Sequence, residues 1–256
     1  MRIAANVLPT ADWATLRDVA VRADRCGLDA VSLLDHYHSE QAKWSWLSGW
    51  SVYGALAALT KRIRLVPMVI DRLNHLPGVL AKEATVLSAI SGGRFELGIG
   101  AGDYFSEQRA WGLHVPDAAT RIAALEETVR ALRLVWTGEL VSFEGAHVRL
   151  RDAACLPAPA GPVRVVVGAG KSRRLIRSAV QYADEVNVYA DDEIVRFARD
   201  EIERSAHDVA LSVYKWDWPD DVEVRVRTWA DCGVDRAFLT FWPPYDKIET
   251  AASLAG

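Results

Sequence analysis

Cysteine is scarce. The 256-residue chain has three, Cys26, Cys155 and Cys232, far apart and with no CxxC pair. That spacing excludes a disulfide-stapled scaffold and a thiolate zinc knuckle, and it suits a reducing compartment, so the expected location is the cytoplasm. Positive charge is also in short supply. Thirty Lys and Arg against 34 Asp and Glu leave a net charge of −4, which argues against nucleic acid or an anionic membrane surface as the main partner. No uncharged apolar run approaches the roughly 18 residues that a membrane-spanning helix needs. The opening segment carries a single basic residue, Arg2, and turns polar by Thr10; it reads as a first strand, not a secretory leader. Low-complexity tracts and linkers are missing as well, so one domain over 1–256 is expected.

What the chain does have is alternation. Short β-branched and apolar runs at 2–8, 30–34, 63–70, 94–100, 163–168, 185–189, 210–214 and 236–242 read as strands. Between and after them, 12–26, 50–60, 79–90, 121–136, 173–182, 192–205, 221–232 and 247–254 read as helices. Asp12 suits a helix start, while Gly27 and the Gly92-Gly93 pair sit where helices should stop. In the 121–136 helix, Ile122, Leu125, Val129, Leu132 and Val135 fall on one face. A small hairpin is expected around Glu144-Gly145, after the fourth unit. Strands joined by helices must run parallel and be buried on both faces. Eight such units favour closure, and the expected fold is α/β, a parallel eight-stranded (β/α)8 TIM barrel.

In such barrels the chemistry lies where strands end. Asp35 and His36 follow the second strand, Asp71 to His75 the third, and Gly98, Gly100 and Asp103 the fourth. Gly168-Ala169-Gly170 and Lys171 follow the fifth, Asn187 and Tyr189 the sixth, and Trp242 the eighth. Glycine lets backbone N–H groups approach an anion, and a helix N-terminus adds a favourable dipole. The Gly168-Ala169-Gly170 turn therefore suits a phosphate, with Lys171 or Arg173 adding charge. His36 beside Asp35 offers an acid–base group near neutral pH. The His36-Tyr37-His38 triplet also invites a zinc reading, but His114, His147 and His207 fall elsewhere and the eighth strand ends in Phe241-Trp242. No metal site is expected.

Asp103 and Glu107 stand four apart, so in a helical turn they would face the same way. Asp103 is the acid candidate; Glu107 is read as a loop anchor paired with Arg109 or Arg121. Trp44, Trp46 and Trp50 offer flat apolar surface for a pocket or a subunit interface. Arg64, Lys82 and Arg94 are read as solvated or paired at the barrel base.

The segment from Leu80 to Gly102, LAKEATVLSAISGGRFELGIGAG, resembles the hallmark of the luciferase-like monooxygenase superfamily. Thr60-Lys61-Arg62-Ile63-Arg64-Leu65, Asp103-Tyr104-Phe105-Ser106-Glu107 before Gly112, Tyr182-Ala183-Asp184 with Asn187, and Gly233-Val234-Asp235 match it in order and spacing. The Asp35-His36 pair resembles the branch that uses the deazaflavin coenzyme F420. That resemblance implies a ring across the strand ends, with Asp35 at its polar edge and His36 on the substrate side. It implies a non-proline cis peptide around Pro67-Met68-Val69 supporting the ring. Gly98, Gly100, Gly168, Ala169 and Gly170 would contact the cofactor with their backbone, beside Pro67, Met68, Lys171 and Asn187. Asp103 stands where a carboxylic acid donates a proton in the sugar-phosphate dehydrogenases of that branch.

Two departures stand out. Those dehydrogenases carry a tryptophan where this chain has Glu40, and the Arg/His-Asn/His-Pro signature reads His75-Leu76-Pro77 here. The expected activity is hydride transfer between F420 and a small organic substrate, with His36 and Asp103 as catalytic residues. An FMN-dependent monooxygenase and a non-catalytic flavin-binding barrel are the alternatives. A homodimer is the expected assembly.

Overall fold

The computed structural model describes residues 1–8, 12–37, 45, 47 and 49–255. Strands β1 (Arg2–Val7), β2 (Ala30–Ser32), β3 (Arg64–Leu65), β4 (Ile70–Asp71), β5 (Leu97–Gly100), β8 (Val165–Gly170), β9 (Glu185–Tyr189), β10 (Ala210–Lys215) and β11 (Arg236–Phe241) form one parallel sheet. A separate antiparallel hairpin, β6 (Val141–Glu144) with β7 (Arg149–Ala153), is the expected excursion. The helices are α1 (Trp13–Cys26), α2 (Trp50–Leu59), α3 (Pro77–Ser91), α4 (Phe105–Ala110), α5 (Ala118–Val135), α6 (Arg173–Ala179), α7 (Asp192–Glu203), α8 (Val222–Asp231) and α9 (Ile248–Ser253).

The sheet runs β3-β2-β1-β11-β10-β9-β8-β5-β4. Its two ends, β3 and β4, are the halves of one strand position, so the sheet closes on itself. Val66 N–H donates to Val31 O at 3.1 Å on one side, and Leu65 N–H to Arg94 O at 3.1 Å on the other. Eight strand positions thus make the ring, as the alternation predicts. The single expected strand at 63–70 is broken, however. Residues 66–69 bulge into the barrel, tied to the second strand by the Val66 and Met68 N–H groups, which donate to Val31 O and Leu33 O at 3.1 Å, with a cis bond between Met68 and Val69.

Local signals set the helix ends. The Asp12 carboxylate accepts from Thr15 N–H at 2.7 Å, and Gly27 closes α1 in the left-handed region at φ +84°. Helix α5 starts three residues earlier than expected because Asp117 caps Thr120 at 2.9 Å. The hairpin turns from Gly145 to Val148, where Glu127 of α5 accepts from the backbone N–H groups of Ala146, His147 and Val148.

The main core lies between sheet and helices, with Leu16, Leu56, Leu80, Leu125 and Ile176 among its fully buried residues. Ala4, Ala30, Val66, Val166 and Phe238 fill the inside of the ring. The floor is ionic instead. Arg236, fully buried, donates to Glu185 at 2.6 and 3.1 Å, Glu96 at 2.7 Å and Asp29 at 3.1 Å. Arg64 reaches Glu96 and Asp29 from the rim of this network, which pairs it at the base as expected. Arg94 is paired too, but with the carbonyls of Ala57, Thr60, Ile63 and Ser91. Lys82 donates to Leu156 O.

Candidate active site

A cavity of about 550 Å³ opens at the C-terminal ends of the barrel strands. Asp35, His36, Met68, Gly100, Asp103, Gly168, Ala169, Gly170, Lys171 and Asn187 all line it. The second-strand and fifth-strand corners, separated by some 130 residues of sequence, therefore face one space. A cavity of this size is typical of a cofactor or substrate site.

Two expected contacts fall outside it. Gly98 and Pro67 do not line the cavity; they meet beneath it. A β-carbon on Gly98 would stand 1.7 Å from the Pro67 carbonyl oxygen, so this glycine exists to admit the inward bulge. Gly100 and Gly168 share that task. Their missing β-carbons would approach the Val69 side chain to 2.7 and 2.6 Å. Val69 therefore stands between two strands that carry no side chain at that level, and Met68 and Val69 form a shelf in the cavity floor. The expected glycine turn is also different in kind. Gly168, Ala169 and Gly170 are the end of β8, and the chain turns at Lys171.

The cations expected to serve a phosphate are both engaged. Lys171 Nζ donates to Asp191 Oδ2 at 2.9 Å, and Arg173 pairs with Glu193 and lies 4.8 Å over the Phe197 ring. Lys171 still lines the cavity, whereas Arg173 does not. Ser172 caps α6 by accepting from Leu175 N–H.

At the opposite corner three strand ends interlock. His36 Nδ1 lies 3.4 Å from Glu107 Oε2, and its ring meets Tyr104 edge-on at 4.9 Å. Glu107, 1% exposed, also accepts from Tyr37 N–H at 2.9 Å and Asn74 Nδ2 at 3.1 Å. The expected pairing with Arg109 or Arg121 is replaced by this cluster, because α4 turns Glu107 inward. Asp103 precedes α4 and reaches the cavity, so the two carboxylates do not share a helix face. Asp35 Oδ2 lies 3.3 Å from His75 Nε2, and Trp50 packs edge-on to His75 at 5.8 Å. Trp50 thus supports the site from behind. Trp44, Trp46, His38 and Glu40 lie outside the described residues.

Asp71, which the sequence places after the third strand but without a role, belongs to the site. It lines the cavity at 7% exposure, accepting from Leu73 N–H at 2.8 Å and Gln108 Nε2 at 2.7 Å. Burial pushes its carboxyl up to about 6, and the charges of Asp103, Asp35 and Glu107 add to that, although the Leu73 N–H pulls the other way. Its place after the third strand was the available signal. On the far wall, Tyr189, Tyr214 and Trp216 run in succession with ring centroids 6.1 Å apart. Burial raises the Tyr189 hydroxyl above its ordinary value, and the Asp103 carboxylate raises it further. Asn187 donates to Ser212 Oγ at 2.9 Å. Among the described residues no cluster of His, Cys, Asp or Glu is arranged to hold a metal.

A model of the luciferase-like monooxygenase family matches residues 1–215. An F420-dependent glucose-6-phosphate dehydrogenase of Amycolatopsis mediterranei is 33% identical over 159 residues, covering 60% of this chain and 47% of that one. Its counterpart from Kineococcus radiotolerans is 35% identical over 161 residues, covering 60% and 46%. The chain spans about half the length of the curated relatives it matches. An F420-dependent secondary alcohol dehydrogenase, solved with an F420–acetone adduct, superposes with a TM-score of 0.87 at 16% identity, covering 99% of this chain and 97% of that one. The F420-dependent tetrahydromethanopterin reductase of Methanopyrus kandleri gives 0.76 at 16% identity, covering 99% and 96%. At that identity the two structures share the fold.

Proposed function

The chain belongs to the luciferase-like monooxygenase family, and from that premise we propose that it is an oxidoreductase transferring hydride between coenzyme F420 and a small organic substrate. The observation that carries the reading is the single cavity faced by both the His36 corner and the Lys171 corner. The names of its relatives, F420-dependent dehydrogenases, support the choice of deazaflavin.

The residues fit such a group. The Met68-Val69 shelf, seated where Gly100 and Gly168 have no side chains, offers a surface for a flat ring. Asp35 and Asn187 offer polar contacts at its edge, and Lys171 with the first turn of α6 offers charge for its phosphate. Bound there, the deazaflavin supplies the carbon that accepts or delivers the hydride. The protein must hold the substrate carbon over that ring and manage one proton. Glu107 holds His36 by Nδ1, and His36 is the group that exchanges the substrate's proton. Asp103, at the open side of the cavity, is the second acid–base group.

We read residues 1–256 as one cytoplasmic barrel domain that forms a homodimer. Val79, Val86 and Ile90 are 46, 39 and 49% exposed along the outer side of α3, an apolar stripe that a second copy would cover. Among the described residues no helix is long and apolar enough to cross a membrane.

Fluorescence titration of the purified protein with F420 and, separately, with FMN tests the cofactor. Micromolar binding of F420 without a response to FMN is expected. FMN binding alone would favour the oxygenase, and binding of neither would reject both. Sedimentation velocity checks the dimer.

A further inference from the structure

Charge is unevenly spread around the cavity. Lys171 and Arg121 are its only Lys or Arg side chains among the described residues. They stand on different elements, Lys171 just after β8 beside Asp191 and Arg121 on α5 against Phe105 of α4. Lys171 is already paired with Asp191 at 2.9 Å, and the Arg121 guanidinium lies 4.3 Å over the Phe105 ring and donates to Pro116 O. The remainder of the lining carries Asp35, Asp71 and Asp103 and, facing them, the aromatic wall. Trp216 is 46% exposed, and its ring continues the Tyr189–Tyr214 line to Trp242, 5.9 Å further on.

Recognition of a phosphate or carboxylate needs fixed cations or N–H donors around it. Once the cofactor's phosphate takes the Lys171 side, an anionic substrate would meet carboxylates and aromatic faces. A positively charged or neutral ring gains from the same surroundings, by stacking and cation–π contact on Trp216 and by charge attraction to the acidic side.

We infer that the hydride partner of this cavity is a ring-bearing organic molecule without phosphate or carboxylate, neutral or cationic. It lies flat on Tyr189, Tyr214 and Trp216, with its polar or charged part turned toward Asp71 and Asp103. Calling this molecule a hydride partner rests on the F420 reading; the aromatic and acidic recognition surface belongs to the chain alone.

Isothermal titration of the protein, with and without F420, tests it with three probes: benzyltrimethylammonium, 4-phenyl-2-butanone and glucose 6-phosphate. Both ring probes are expected to bind and the sugar phosphate to give no heat. Trp216→Ala should weaken both ring probes by about tenfold and Trp216→Phe should restore them, as expected for a stacking surface. Asp103→Asn should weaken only the ammonium probe. Glucose 6-phosphate binding as tightly as the ring probes would overturn the inference, and so would ring-probe binding indifferent to Trp216→Ala. F420 titrated into the same sample reports on the cofactor separately. If F420 fails to bind while the ring probes follow the expected pattern, the cofactor reading falls and the recognition surface stands.

Discussion

Glu107 Oε2 lies 3.4 Å from Nδ1 of His36, linking α4 to the segment after β2 across 70 residues of sequence. A carboxylate in that place fixes the orientation of the imidazole. His36→Asn is expected to lower kcat by about 100-fold, the scale of a lost acid–base group, while leaving F420 affinity nearly unchanged. Glu107→Gln keeps the shape and is expected to lower kcat by about tenfold with KM little altered. Steady-state kinetics beside an F420 titration checks both, and wild-type turnover in His36→Asn would remove His36 from the chemistry.

Asp71 puts a pH-dependent cost on the fold. Its carboxyl sits near 6 in the folded chain against an ordinary 3.8, a difference worth about 3 kcal/mol. A raised carboxyl holds its proton more tightly when folded. The cost is therefore absent below about pH 4, grows through the interval and is complete above about pH 6. Asp71→Asn is expected to raise stability by up to about 3 kcal/mol at pH 8 and by little near pH 4. Urea unfolding at the two pH values decides; an equal change at both would contradict the burial argument.

Val69 and Gly168 compete for the same space. Gly168→Ala places a β-carbon 2.6 Å from Val69 Cγ1, and such overpacking costs about 1–3 kcal/mol. Val69→Ala empties part of that contact. Combined with Gly168→Ala, it is expected to recover at least about 1 kcal/mol of the loss as coupling energy. A double-mutant cycle in denaturant measures it, and simple additivity would argue that the shelf is not held by this contact.

Arg236 balances the buried acids of the barrel floor. Arg236→Met leaves Glu185 and Glu96 inside without their main partner, and breaking a buried pair costs about 3–5 kcal/mol. The Glu185 carboxyl, which burial alone would raise, is held below its usual value chiefly by this guanidinium. A further Glu185→Gln change should recover part of the loss. A thermal midpoint for Arg236→Met within a degree or so of wild type, on the scale of about 2–4 °C per kcal/mol for a domain of this size, would refute the view that the floor is ionic in effect.

The bounds of α1 were readable because Asp12 and Gly27 act on their own neighbours. The sixth strand, 185–189, was readable because β-branched Val186 and Val188 alternate with Glu185 and Asn187 at the period of two that a strand imposes. The third strand was read as continuous although Pro67 argues locally against an unbroken central strand. What no local pattern carries is the depth of the bulge at 66–69, for which Gly98, Gly100 and Gly168, from other strands, make room. The same holds for Arg173, which reads as a phosphate ligand until the first turn of α7 brings Glu193 against it, and for the Asp191 partner that the α7 cap supplies to Lys171.

Sequence alone determined the alternation, the closure it favours, and the strand ends at which His36, Asp103 and Lys171 had to appear. These follow from periodicity, caps and chain direction, which act over a few residues. Tertiary structure decided which imidazole meets which carboxylate: His36 with Glu107, and His75 with Asp35. It also decided that the glycines admit Val69 and that an aromatic wall faces the acids. Those choices depend on the register at which eight distant strands close into a ring, and on the depth to which one bulge enters it.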